Sequence, residues 1–281
     1  MRAVIGALAL AWMVVGPAQA QPASSASTKP TIVLVHGAFA ESSSWNAVIS
    51  ELTRDGYPVV AAANPLRGVK GDADYVTSLV ASIPGPVVLV GHSYGGNVIS
   101  VAATGLPSVK ALVFVAAFAP ETGESAASLG ARFPTGTLSA ALAPPVRLPD
   151  GGADLYILQT KYRQQFAADV SEVEAAQMAA TQRPIVQSAL AESAGAMAWR
   201  SLPSWFVWGE LDRNIPAALH AFMARRAEAR EAVEVPGASH VVMISHPTVV
   251  AAMIKRAAVA HSLAPANLPP GAVKGRPSGQ Y

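Results

Sequence analysis

Continuous apolar runs alternate with amphipathic segments along most of this 281-residue chain. Runs of Val, Leu and Ala are typical of strands buried on both faces, and the segments between them have the apolar spacing of helices. The runs predict strands at 31–36, 57–62, 86–91, 110–116, 205–209 and 231–235. The segments predict helices at 44–55, 72–83, 95–104, 216–229 and 247–261. This alternation predicts an α/β fold with a mainly parallel six-strand sheet flanked by helices.

One long stretch, residues 121–200, interrupts the alternation. It is rich in Ala, Pro and Gly, with scattered aromatic residues, and contains no strand as clear as those on either side. We interpret it as an inserted helical cap, which divides the core into residues 31–120 and 201–262. The helices of the cap are predicted at 153–167, 171–181 and 184–194.

Both ends of the chain have the composition of segments outside the folded core. Residues 1–20 begin with a charge at Arg2, continue with an apolar stretch too short to span a bilayer, and end in Ala18-Gln19-Ala20. This is the pattern of a secretory signal peptide cleaved after Ala20, so we expect an exported protein without stable membrane insertion. The polar leader 21–30 and the Pro- and Gly-rich tail 263–281 are predicted to be disordered.

The amino-acid composition excludes several kinds of catalytic chemistry and binding partner. Half of the residues are hydrophobic, which is enough for one large α/β domain after cleavage. The absence of cysteine excludes disulfides, thiol nucleophiles and cysteine-bound metals. The net charge is only +2 and the arginines are scattered, so no nucleic-acid partner is predicted. A neutral, largely apolar small molecule is the substrate that this low net charge and apolar composition favour.

A candidate nucleophile lies in Gly91-His92-Ser93-Tyr94-Gly95. This segment directly follows a predicted strand and precedes a predicted helix. Such a G-x-S-x-G turn exposes its serine on a sharp, strained bend, and the flanking glycines are needed because side chains there would meet the neighbouring strand or helix. The pentapeptide alone is a modest signal, but its context predicts that Ser93 is the nucleophile.

A serine needs a base, and the base needs a group that orients it. Asp212 is predicted on the loop after the strand 205–209, and His240 on the loop after the last strand. The order Ser, Asp, His is the one found on sheets with this kind of turn. Taken alone, either residue has an ordinary structural explanation; together they predict a triad. Glu121 and Glu124, which follow the fourth predicted strand, remain as alternative acids.

The negative oxygen of a tetrahedral intermediate needs two backbone N–H donors. One is predicted at Tyr94, the residue after the serine. The other is predicted on the loop after the first strand, at Ala38, with Phe39 as the alternative.

The positions of the remaining histidines give little indication of a catalytic or metal-binding function. We interpret His92 as packing at the turn and His36 as bracing the loop after the first strand. His220, His246 and His261 lie on predicted helices or at their ends, without the spacing of metal ligands. We therefore predict no metal and no cofactor.

Five segments of the chain resemble the α/β-hydrolase superfamily, and within it the small esterases similar to plant methylesterases and hydroxynitrile lyases and their bacterial relatives. The resemblance covers residues 31–261, and its specific segments are 33–38, 44–45, 88–96, 113–120 and 237–240. It implies the α/β-hydrolase fold, a cap inserted after the fourth strand, and hydrolysis of a carboxylic ester through an acyl-enzyme. Larger members begin with an antiparallel hairpin, for which the ten residues after the signal peptide are too few, so we expect a trimmed sheet.

The predicted substrate is a small ester, and the sequence makes no prediction of oligomeric state. Candidate pocket residues are Phe39 and, from the cap, Phe133, Leu148, Tyr156, Tyr162, Phe166 and Met178. The spacing of the cap residues fits the core of the cap equally well. A cofactor-free haloperoxidase or perhydrolase would use the same triad, whereas a non-enzymatic ligand sensor fits poorly with export. The lyases that the chain resembles need a hydroxyl side chain and a lysine at positions occupied here by Gly37 and Val241, which favours the esterase.

Overall fold

The structure is a computed structural model and describes residues 29–262. The signal peptide, most of the leader and the tail predicted above lie outside the described residues. Lys29 and Pro30, the last two residues of the leader, are described: Pro30 is buried and Lys29 lies over the ring of Tyr57. The leader prediction therefore extends two residues too far.

The strands of the described part form two sheets. They are β1 (Thr31–Val35), β2 (Val59–Ala62), β3 (Val87–His92), β4 (Val109–Val115), β5 (Val146–Arg147), β6 (Ala153–Leu155), β7 (Ile185–Val186), β8 (Ser204–Gly209) and β9 (Glu231–Val235). Six of them form a wholly parallel sheet in the order β2-β1-β3-β4-β8-β9. The described residues begin only two positions before β1, so the trimmed sheet stays a prediction.

The described helices follow the strands closely in the core. They are α1 (Asn46–Arg54), α2 (Val69–Ala81), α3 (Gly95–Ala102), α4 (Ala126–Arg132), α5 (Gln159–Phe166), α6 (Glu172–Thr181), α7 (Gln187–Ala191), α8 (Ala217–Arg226), α9 (Val242–Ser245) and α10 (Pro247–Ser262). Helices α3 and α10 both pack on β3 and β4 without packing substantially on each other, so they cover opposite faces of the sheet. None of the helices within residues 29–262 is long and apolar enough to cross a membrane.

The apolar runs of the sequence become the centre of the core because helices cover both faces of the sheet. Every residue of β3 is buried, and so is every residue of β4 except Lys110. Phe114 of β4 stacks on Phe206 of β8, with ring centroids 4.5 Å apart. Burial on both faces removes most apolar side chains of these strands from water, which is the main stabilising contribution to the fold.

The insertion, residues 121–200, differs from its prediction because it is not entirely helical. Strands β5, β6 and β7 form a small antiparallel sheet, so the helix predicted at 153–167 begins only at Gln159, and a strand interrupts the one predicted at 184–194. The core fixes this sheet: the amide of Val186 donates to the carbonyl of Leu66, and Arg67 pairs with Asp154 at 2.6 Å. These tertiary contacts override the helical propensity of the Ala-rich sequence.

Candidate active site

Ser93 lies on the turn between β3 and α3, at the carboxyl end of the central strand. Its φ angle is +53°, a left-handed conformation that non-glycine residues rarely adopt. The close approach of the helix explains the glycine two residues later, because a Cβ atom on Gly95 would lie 2.4 Å from the carbonyl oxygen of Val35. The surrounding backbone holds the strained residue: the amides of Gly96 and Phe118 both donate to its carbonyl oxygen. A strained serine held in this way is typical of a nucleophile turn.

Asp212 and His240 follow β8 and β9, whose carboxyl ends lie at the same edge of the sheet as that of β3. The Nδ1 atom of His240 lies 2.7 Å from the Oδ2 atom of Asp212. Because a carboxylate only accepts hydrogen bonds, Nδ1 carries the proton and Nε2 is free to accept one. This Nε2 atom is buried and has no hydrogen-bond partner among the described residues. Ser93 and His240 line the same small cavity.

The carboxylate of Asp212 is fully buried and accepts four hydrogen bonds. Its Oδ1 atom accepts from the amides of Asn214 and Ile215, at 2.8 and 3.0 Å, and Oδ2 accepts from His240 and from Nε2 of His220 at 3.1 Å. Burial by itself favours the neutral acid, but the attraction of His240 and the hydrogen bonds of both histidines outweigh it and hold the pKa of Asp212 well below its usual range. Asp212 is therefore an anion at neutral pH.

The two alternative acids are engaged elsewhere. Glu121 pairs with Arg200, and Glu124 pairs with Arg226 at 2.8 Å and with Arg132 at 3.0 Å. The geometry therefore brings Asp212, and neither glutamate, to the candidate base.

The two predicted donors for a negative oxygen are also placed at this cavity. Ala38 and Tyr94 line it together with Ser93, and neither backbone amide donates a hydrogen bond within residues 29–262. The alternative donor, the amide of Phe39, already donates to the carbonyl of Arg183 at 2.9 Å. Of the two residues considered on this loop, Ala38 is thus the one with a free amide.

Two buried histidines support the loops of the site. His36 donates through Nδ1 to the carbonyl of Gly37 and accepts the amide proton of Asn64 at Nε2, so it is neutral. Burial lowers its pKa to about 4, against the smaller opposing effect of the Gly37 bond. His92 lies beside His240, with ring centroids 4.8 Å apart, and its Nε2–H donates to the His240 carbonyl. Burial and the neighbouring His240 hold the pKa of His92 well below its usual range.

The cavity at Ser93 is small, about 30 Å³, and mostly apolar. Two predicted pocket residues, Phe39 and Phe166, line it. Phe39 also lines a larger outer cleft of about 550 Å³, together with the predicted residues Tyr162 and Met178. Residues that line the inner cavity but were not predicted are Phe118, Leu138, Leu190, Asn214 and Ile215.

The other three predicted pocket residues line neither space, so their assignment is corrected. Phe133 packs against Phe222 of α8, with ring centroids 5.6 Å apart. Leu148 lies at the β5–β6 turn, where its amide donates to the carbonyl of Gly152. Tyr156 lies just beyond β6 and is partly exposed. Phe133 thus packs between the cap and the core, whereas Leu148 and Tyr156 lie beside the small sheet of the cap that was absent from the prediction.

His220, which contacts Asp212, was not predicted as a candidate site residue. It was placed correctly on a helix but had no motif around it, because its partner Asp212 is eight residues away across a loop. Within the described part of the chain, no group of three or more acidic or histidine side chains is arranged to hold a metal ion.

A six-strand parallel sheet with a serine turn, an inserted cap and an Asp–His pair at the strand ends is the architecture of α/β hydrolases. The sequence profile of the alpha/beta hydrolase family matches residues 32–253, and the chain belongs to this family. This confirms the resemblance and the fold class predicted from the sequence.

Individual relatives are distant. The chain is 26% identical to methylesterase 3 of Arabidopsis thaliana over 249 residues, covering 80% of this chain and 95% of the relative. It is also 26% identical to an alpha/beta hydrolase of Aspergillus novofumigatus over 252 residues, covering 82% and 97%. The crystal structure of polyneuridine aldehyde esterase is 19% identical, with a TM-score of 0.71 over 81% of this chain and 98% of that chain.

Proposed function

We propose that this protein is a serine esterase that cleaves a small, largely apolar carboxylic ester through an acyl-enzyme intermediate. The observation that carries this proposal is the placement of His240. One ring nitrogen is bound to the buried carboxylate of Asp212, and the other is free in the cavity that contains Ser93. The esterase activity named for two of the similar proteins supports the same class of reaction.

In the acylation step, the Oγ atom of Ser93 forms a bond to the ester carbonyl carbon while its proton moves to Nε2 of His240. The amides of Ala38 and Tyr94 donate to the negative oxygen of the tetrahedral intermediate. Each such donor contributes about 10²- to 10³-fold to the rate. The carbon–oxygen bond to the alcohol then breaks, and the alcohol leaves with the proton from His240.

In the deacylation step, water attacks the acyl-enzyme and gives a proton to Nε2 of His240. The second tetrahedral intermediate collapses, the carboxylic acid leaves, and the proton returns to Ser93. Asp212 keeps the imidazole in one tautomer throughout and stabilises its charged form.

The lining of the inner cavity supports an apolar substrate. Its side chains are hydrophobic apart from those of Ser93, Tyr94, Asn214 and His240. A cavity of about 30 Å³ has room for little more than one or two water molecules, so the space beside Ser93 favours a small group. A small alcohol group, as the methylesterase among the relatives suggests, fits this restriction best.

The test is an ester panel that varies acyl and alcohol size, measured on the purified mature protein. Ser93→Ala should abolish hydrolysis and labelling by a serine-directed phosphonate. Ser100→Ala is the matched control, because Ser100 lies on α3, where its hydroxyl only donates to the carbonyl of Gly96. Hydrolysis near the wild-type rate in folded Ser93→Ala would refute the proposal. Adding peroxide to the same panel measures perhydrolysis, the reaction that would use the same residues.

We also propose that the protein is exported and begins near Gln21 after cleavage. The support is the charged start, the short apolar stretch and the Ala18-Gln19-Ala20 site. Mass spectrometry of protein expressed with its own leader tests this, and an exported form that retains Met1 would contradict it.

A further inference from the structure

His220 of α8 is bound to the same carboxylate oxygen as the candidate base. Its Nε2 atom lies 3.1 Å from Oδ2 of Asp212, and Nδ1 of His240 lies 2.7 Å from that same oxygen. All three side chains are buried, with exposures of 0–1%. Because the carboxylate is the acceptor in both bonds, His220 donates a proton to Oδ2 just as His240 does.

The ring of His220 is held in place by its neighbours. It stacks on Trp208, with centroids 5.6 Å apart and an interplanar angle of 17°, and the indole N–H of Trp208 donates to Glu234 of β9. The charged or titratable groups that influence His220 are Asp212, His240 and Glu234. Burial, opposed by the Asp212 bond, lowers the pKa of His220, so the ring is neutral when it donates.

The second donor has two consequences for the base. It occupies the side of Oδ2 that His240 does not use, so together with the amides of Asn214 and Ile215 it fixes the plane of the carboxylate. It also takes up part of the negative charge that Asp212 would otherwise present to His240 alone. Without it, the carboxylate would attract protonated His240 more strongly, and the plane of the carboxylate that orients the ring would be less firmly fixed.

We propose that His220 is a positioning residue of the catalytic site, which acts by donating its Nε2 proton to Asp212 and thereby fixing the carboxylate that orients His240. This inference rests on the proposed serine-esterase function. Apart from Asp212 and His220, the titratable side chain that packs against the ring of His240 is His92 of β3, whose pKa lies well below its usual range.

The test compares four variants by kcat, KM and the pH dependence of kcat/KM. His220→Leu removes the donor and should lower kcat about tenfold, with little change in KM, while the acid limb of kcat/KM moves up by about half a pH unit. His220→Gln should recover most of this loss, because its amide N–H is the same number of bonds from Cα as Nε2 of histidine. His220→Asn is one bond shorter, so it should behave like the leucine variant while remaining polar. Leu219→Val lies one residue away in the core of α8 and should lower stability without moving the acid limb.

The proposal is overturned if His220→Gln loses as much activity as His220→Asn, or if Leu219→Val moves the acid limb as far as His220→Leu does. A second readout does not depend on turnover: the proton NMR resonance of Nδ1–H of His240 should shift in His220→Leu and His220→Asn and stay near its wild-type position in His220→Gln. If the wild type cleaves no ester, the proposed function fails, yet this resonance still tests the hydrogen-bond link. An unchanged resonance in all three variants refutes the link itself.

Discussion

Gly37 and Ser93 face each other so closely that a Cβ atom on Gly37 would lie 2.6 Å from the Cβ atom of Ser93. The same atom would lie 2.7 Å from the carbonyl oxygen of His92. Real Cβ atoms are essentially never found at such distances, so position 37 accommodates only glycine unless the backbone shifts. This contact brings the loop after β1 against the serine turn and explains why Ala38 and Ser93 line one cavity.

Asp212→Asn should lower kcat by about 10³- to 10⁴-fold while the protein remains folded. The amide has only one acceptor atom in place of two, so it cannot serve the two backbone amides and the two histidines that bond to Asp212. It also allows the wrong tautomer of His240. Steady-state kinetics and a thermal melt measure the two effects.

Glu121→Gln and Glu124→Gln are the matched controls for Asp212→Asn. Each carboxylate pairs with arginine at the base of the cap, so these variants should change stability more than kcat. If either glutamine variant loses more kcat than Asp212→Asn, then Asp212 is not the acid that orients His240.

Sequence patterns predicted the central sheet well because each of its strands is a local property of the chain. The runs around Val88 and Val113 are apolar throughout, since helices cover both faces of a parallel sheet. The positions of Ser93, Asp212 and His240 at one edge of the sheet were also predictable, because each residue follows a strand and the carboxyl ends of parallel strands meet at one edge.

The cap and the pocket could not be predicted in the same way. Ile185 and Val186 form a strand only because they pair with Leu155 and Asp154, thirty residues earlier, and the chain near them favours helix. Pocket residues such as Leu138 and Leu190 reach the cavity through this packing. The contact between His220 and Asp212 depends on how α8 lies against the loop after β8, and the spacing of residues along the chain does not predict it.

The stability of the protein should fall below neutral pH in part because of His36. The pKa of its ring is about 4 when folded and near 6.5 when unfolded, so the unfolded chain binds more protons between these values. The contribution of neutral His36 is thus complete above pH 6.5 and is lost as the pH falls toward 4. Over this range it amounts to about 3 kcal/mol as an order of magnitude.

His36→Gln should reduce this pH dependence, because a glutamine oxygen can accept the Asn64 amide proton and does not titrate. The measurement is the free energy of unfolding in urea at pH 7 and at pH 4.5, for both proteins. The difference between the two proteins therefore measures the loss of His36, including the effect that His36 has on the pKa of His92. Equal losses in the two proteins would contradict this account.

Phe39 should limit the size of the substrate, because it lines both the inner cavity at Ser93 and the outer cleft. Phe39→Ala should raise the ratio of kcat/KM for a hexanoate ester to that for an acetate ester by about tenfold, since hydrophobic contacts with a few methylenes have this magnitude. The ratio is informative because any damage to the loop after β1 lowers both rates. Met178→Ala is the control: Met178 lines only the outer cleft and should change the ratio little. If this ratio is unchanged in Phe39→Ala, Phe39 does not limit the size of the substrate.

The last prediction separates ester hydrolysis from cyanohydrin cleavage. In the lyases that the chain resembles, a hydroxyl side chain at the position of Gly37 holds the substrate hydroxyl, and a lysine at the position of Val241 stabilises departing cyanide. Here a side chain at position 37 would collide with Ser93, and Val241 is a fully buried apolar residue that offers nothing to an anion. We expect ester hydrolysis without measurable release of cyanide from mandelonitrile or acetone cyanohydrin above the buffer rate. Gly37→Thr should not create lyase activity and should instead lower ester hydrolysis at least 100-fold, by pushing the amide of Ala38 away from the negative oxygen. Cyanide release by the wild type that disappears in Ser93→Ala would overturn the esterase assignment.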